Sequence, residues 1–107
     1  MNFCPWYALA DAGAHAPCTP GVFQVRLARG LLDYPRGKSA MIHYSCAADV
    51  RAAAQALAAA HPGVDWLCRH ALALTAREHA LGLAGAFDLL LGGFVQRFGT
   101  PPRLPDP

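Results

Sequence analysis

Hydrophobic and polar positions alternate cleanly over residues 21–28, Gly-Val-Phe-Gln-Val-Arg-Leu-Ala. Phe23, Val25 and Leu27 fall on one side, Gln24 and Arg26 on the other, and this two-residue period predicts a half-buried strand. Arg29-Gly30 reads as a turn and Leu31–Tyr34 as a short strand. Pro35-Arg36-Gly37-Lys38 then places proline and glycine for a tight turn. Ser39–Cys46 is a second main strand, with Met41, His43 and Ser45 on one face and Ile42, Tyr44 and Cys46 on the other. Together the two main strands predict an antiparallel hairpin with a long, decorated tip.

The period then becomes helical. Asp49 is placed as an N-cap, and Val50–Ala60 carries an apolar stripe of Val50, Ala53, Ala54, Leu57 and Ala58. His61-Pro62-Gly63 ends that helix. Within Asp65–Leu74 the second half reads as a third strand. Thr75 and Glu78 form a capping box, so a second helix starts at Thr75 or Ala76. Ala80, Ala84, Phe87, Leu91, Phe94 and Phe98 give it a core-facing stripe, and Gly92-Gly93 is the expected kink. Gly99-Thr-Pro-Pro is a firm stop. The first residues, with Pro5, Pro17 and Pro20, read as an arm in which Trp6–Ala10 makes one helical turn. The expected organisation is an arm over 1–17, one domain over 18–102 and a tail over 103–107. The expected class is α/β (α+β): a small, mainly antiparallel three-stranded sheet flanked by helices.

Composition narrows the picture. The 107 residues are 54% apolar, 15% charged and 9% aromatic, which is one domain's length and excludes an intrinsically disordered chain. Nine basic against seven acidic residues give a net charge of +2, too little for bulk charge to argue for nucleic acid. No long apolar run escapes a charge or a break, and the N-terminus has no basic stretch, so neither a membrane span nor a signal peptide is expected. Cysteines at 4, 18, 46 and 68 make no C-x-x-C pair and are expected as reduced thiols of a cytoplasmic protein.

Several residues carry candidate chemistry. Gly37-Lys38-Ser39 looks like the end of a phosphate-binding loop, but Leu32 stands where that loop needs its first glycine, which favours a solvated turn. Cys68 and His70 share one side of a strand, as two metal ligands or a nucleophile and its base would. His43 and Tyr44 are groups able to position water or move a proton. Arg26, Arg29, Arg36, Lys38 and Arg51 cluster near the hairpin as a potential phosphate-contacting edge. Asp88 sits inside an apolar helix and is a candidate site residue.

The order strand, strand, helix, strand, helix meets specific residues here. Cys18-Thr-Pro-Gly-Val-Phe23, then His43-Tyr44-Ser45, and a closing Gly-x-Pro-Pro resemble the GIY-YIG nuclease-like domain over residues 18–102. Under that resemblance the first signature tyrosine falls on Phe23, which has no hydroxyl, and the second on His43 or, one position on, Tyr44. The signature glycine becomes Ser45. The family's arginine falls by strict counting on Ala53, with Arg51 the nearest basic residue. Its metal-binding glutamate falls near Leu83 and Ala84, or on Asp88. The resemblance thus implies a candidate set of His43, Tyr44 and Arg51 for catalysis, Phe23, Arg36 and Lys38 for ligand binding, and Asp88 for magnesium or manganese. With those replacements it implies a domain that has lost nuclease activity and holds DNA or another anionic ligand in the former cleft. Alternatives are a divergent metal-dependent endonuclease, a small enzyme with Cys46 or Cys68 as nucleophile, and an interaction module. The last would form a homodimer through the aromatic arm (Phe3, Trp6, Tyr7) or the glycine-bearing last helix (Gly82, Gly85, Gly92).

Overall fold

A computed structural model describes residues 1–106. The alternating segments form the expected strands, β3 (Gly21–Leu27), β6 (Met41–Ala47) and β7 (Trp66–Ala73), all mutually antiparallel with β3 in the centre. Two short arm strands, β1 (Asn2–Phe3) and β2 (Tyr7–Ala8), pair with the other side of β7, making a five-stranded antiparallel sheet. β7 thus runs the full length of the third apolar segment. The first half of that segment, to which the sequence assigned no element, is drawn into the sheet because Trp66 and Leu67 pair with Leu27 and Arg26.

Residues opposite each other in a ladder share a face. Phe23 lies opposite Ser45 and His70, and Val25 opposite His43 and Cys68, so these residues occupy one face. That face is covered by α1 (Ala12–His15) and α2 (Val50–Ala60), and the core there unites Phe23, Val25 and Cys68 with Leu9, Ala12, Val50 and Ala54. Asp49 caps α2 as expected, accepting the Ala52 N–H at 3.0 Å. The arm belongs to this body: Leu9 is 2% exposed, and the Cys4 N–H donates to the His70 carbonyl at 3.0 Å. The helical turn expected at Trp6–Ala10 forms later, as a 3₁₀ turn over Leu9–Asp11 running into α1, because Tyr7 and Ala8 are taken up by the edge of β7.

The second face meets α3 (Ala76–Phe98), whose Phe94 ring packs edge-on against Tyr44 and Tyr34. The Thr75–Glu78 capping box is present. The kink falls at Gly82, with φ 75° and ψ 170°, while Gly92 and Gly93 stay helical. A break there resets the helical phase, so the predicted stripe is only partly inward: Phe94 is buried, but Ala80 and Ala84 are exposed and Ala86 is buried instead. The length of α3 and its mean hydropathy of 1.2 would suit a membrane span, yet its second half is docked on the sheet through Phe94.

The hairpin tip is β4 (Leu32–Tyr34) paired with β5 (Gly37–Ser39) across Pro35-Arg36. Gly37 has φ 135°, which a side chain rarely adopts. The tail is also tied down. The Arg103 N–H donates to the Tyr34 hydroxyl at 3.2 Å, that hydroxyl donates to the Met41 carbonyl at 2.6 Å, and Leu104 packs on the core. Pro107, at the end of the expected tail, lies outside the described residues.

Candidate anion-binding face

The polar side of β3 builds a site on the second face of the sheet. Gln24 lies opposite Tyr44 on one neighbour and Arg69 on the other, so Tyr44, Gln24 and Arg69 form a row across three strands. The Arg69 Nε–H donates to Gln24 Oε1 at 2.7 Å, and Gln24 is 2% exposed. The arm supplies the walls. Phe3 pairs opposite Ala71 and therefore stands on the Arg69 face. The Arg69 guanidinium carbon is 4.4 Å from the ring centres of both Phe3 and Trp6, and that of Arg26 is 5.0 Å from the same Trp6 ring. Such contacts stabilise a cation by about 0.5–2 kcal/mol each and fix the plane of the fork.

Neither Arg26 nor Arg69 has an ion-pair partner among the described residues, whose ion pairs join the N-terminus to Glu78, Arg29 to Asp65, and Lys38 to Asp33. The Arg26 Nε is buried and has no hydrogen-bond partner. Burial lowers the Arg69 pKa and the neighbouring Arg26 lowers it further, while Tyr44 and Cys4 oppose them. Burial raises the Tyr44 hydroxyl, which therefore stays protonated at neutral pH and can donate a hydrogen bond. Two like charges sharing one indole in a partly desolvated setting repel each other. An anion placed beside both guanidinium groups would offset that repulsion.

The residues singled out by the sequence do not meet in one cavity. Phe23 is 1% exposed, and the His43 ring sits 5.9 Å from it on the α2 side, where burial and then His61 depress the His43 pKa. Tyr44, the next residue along the strand, points to the opposite face, so His43 and Tyr44 cannot act on one ligand. Arg51 is used internally, its Nε–H donating to the Ala16 carbonyl at 2.7 Å. Arg36 caps α3: its Nη2 donates to the Val95 and Gln96 carbonyls at 3.0 and 2.9 Å. Lys38 pairs with Asp33 at 3.6 Å on the exposed hairpin. Asp88 is exposed on α3, and among the described residues no three potential metal ligands converge. Of the seven, only Tyr44 belongs to the arginine row. Arg69, Phe3 and Trp6 were not singled out as its ligands. The available signal was period-2 alternation: Gln24 and Arg26 already stood on the polar side of β3.

On the covered face the arm completes the Cys68–His70 pair. The Tyr7 hydroxyl lies 3.0 Å and the Cys4 Sγ 3.5 Å from His70 Nδ1, and the Cys68 thiol donates to the Tyr7 hydroxyl at 3.6 Å. The His15 ring stacks on Tyr7 with centres 4.9 Å apart. Burial pushes the Cys68 thiol up to about 11. Burial and then His15 lower the His70 pKa. The arm's aromatic residues are thus all engaged within the chain.

Comparison with protein-family models, with curated proteins and with solved structures gives no match for this chain.

Proposed function

We propose that this chain is a GIY-YIG-like domain that binds an anionic ligand without cutting it, and that the ligand is the phosphate backbone of a nucleic acid. The observation that carries the reading is the Arg26–Arg69 pair, which shares the Trp6 ring and has no carboxylate partner. The order of the main elements, β3, β6, α2, β7 and α3, supports the family resemblance. Phe23 in place of a hydroxyl, and Asp88 standing apart from other ligands, favour binding over hydrolysis. The binding face is the arginine row, not the cleft expected around Phe23, His43 and Arg51. Aromatic rings beside guanidinium groups suit a strand whose bases can unstack, so single strands should bind more tightly than duplexes.

Fluorescence anisotropy with a labelled oligonucleotide tests this. Arg26→Ala and Arg69→Lys should each weaken single-strand binding by about tenfold, at the scale of a lost charge-assisted contact. Two neutralised phosphates predict a slope of log affinity against log salt near about −1.4. Affinity that is undetectable, or unchanged in both variants, overturns the proposal. A supercoiled plasmid incubated with magnesium or manganese should stay intact. Nicking that is lost in Asp88→Asn would show instead that the domain cuts.

A further inference from the structure

We propose that Cys4 is a reactive thiol, with His70 as its base, and that its substrate is a small hydroperoxide. The site does not depend on the anion-binding reading, because its chemistry lies in Cys4 and His70, and Trp6 is the wall it shares with the arginine row. It is created by the pairing of the arm with β7 and opens into a pocket of about 360 Å³ lined by Cys4, Pro5, Trp6, Tyr7, His15 and His70.

Three features set Cys4 apart from the other cysteines. Its Sγ lies 3.5 Å from His70 Nδ1, and it also accepts the backbone N–H of His70 at 3.4 Å, which fixes the sulfur beside the ring. Its sulfur lines a cavity. Cys68, by contrast, is fully buried and its thiol is held in the protonated form, while Cys18 and Cys46 are exposed. His70 is 8% exposed and its pKa is lowered by burial and by His15, so at neutral pH it is an uncharged imidazole able to take a proton. The titratable groups facing it are Tyr7 from β2, His15 from α1, Cys4 from the arm and, through Tyr7, Cys68 on its own strand.

The chemistry of the pocket selects the substrate class. Acyl transfer needs backbone donors aimed at a developing oxyanion, but the nearby His70 N–H is already committed to Sγ. A hydroperoxide needs only a thiolate and a proton for the leaving oxygen. His70 Nδ1 exchanges its contact with the Tyr7 hydroxyl for the thiol proton, and Sγ attacks the terminal peroxide oxygen. The S–O bond forms as the O–O bond breaks, and the departing alkoxide or hydroxide takes the proton back from Nδ1. Cys4 is oxidised to a sulfenic acid and the hydroperoxide is reduced to an alcohol or water. A small thiol can then condense with the sulfenic acid, releasing water and leaving a mixed disulfide.

The test uses the intact chain, with Cys18 and Cys46 as internal references. Hydrogen peroxide is added with a sulfenic-acid trap, and tagging at each cysteine is followed by mass spectrometry. At pH 7, Cys4 should be tagged at least about tenfold faster than Cys18 or Cys46. His70→Asn should bring it down to their rate or below. Equal or slower tagging of Cys4 in the unaltered protein overturns the proposal.

Discussion

Arg69 shows how one side chain is shared among three segments: β3 supplies the oxygen it donates to, and the arm supplies both aromatic walls. Neighbouring positions behave in the opposite way. His43 and His70 are held by burial in their neutral forms, and each has its pKa lowered from 6.5. The unfolded chain therefore binds more protons than the native one once the pH falls below about 6.5. Stability from these two residues is fully present above that pH and is lost on acidification through the window beneath it. Urea unfolding should show a lower midpoint at pH 5.5 than at pH 7.5, and His43→Gln should shrink the difference. Equal midpoints would show that neither burial is felt. The two faces of β6 were readable in the sequence, because alternation alone separates His43 from Tyr44. The resemblance grouped them as one catalytic set, and strand geometry divides that set between the two faces of the sheet. Arg36 and Arg51 were visible as charges, but their backbone acceptors at Val95, Gln96 and Ala16 lie far along the chain or across the fold. No local pattern points to such partners.

Elements with strong local signals were read almost to the residue. α2 runs from its Asp49 cap to Ala60, and the Thr75–Glu78 box starts α3. The bend in α3 was misplaced because glycines look alike in sequence. Gly92-Gly93 offers more local freedom than Gly82, yet the break falls at Gly82. This separates the two sites by sign. Gly82→Ala forces a side chain into φ 75° and ψ 170° and should destabilise by about 1–3 kcal/mol. At Gly92 an added Cβ meets nothing within 4 Å in a helical backbone, so Gly92→Ala should stabilise by about 0.5–1 kcal/mol. Thermal unfolding of the pair checks this, and shifts of the same sign would contradict it.

For the whole molecule, the boundary expected at residue 17 does not separate an arm from a body. The first sixteen residues contribute Leu9, Ala12 and Ala16 to the core and two strands to the sheet. Losing one buried leucine side chain costs about 2–5 kcal/mol, against a total stability of about 5–15 kcal/mol for a domain. A chain beginning at Cys18 should show no cooperative thermal transition by circular dichroism. A transition within a few degrees of the full chain's would show that the arm is dispensable. The sequence left the arm's role hidden because two-residue strands carry too few positions to display a period. Their pairing depends on β7, which lies about sixty residues later.

That separation has a consequence for synthesis. The segment bearing Phe3, Trp6 and Tyr7 leaves the ribosome well before its strand partner among the described residues, β7, Trp66–Ala73. Until those residues emerge, the backbone ladder of the arm has nothing native to pair with. During that interval the nascent chain offers a sticky extended peptide to chaperones and to other copies of itself.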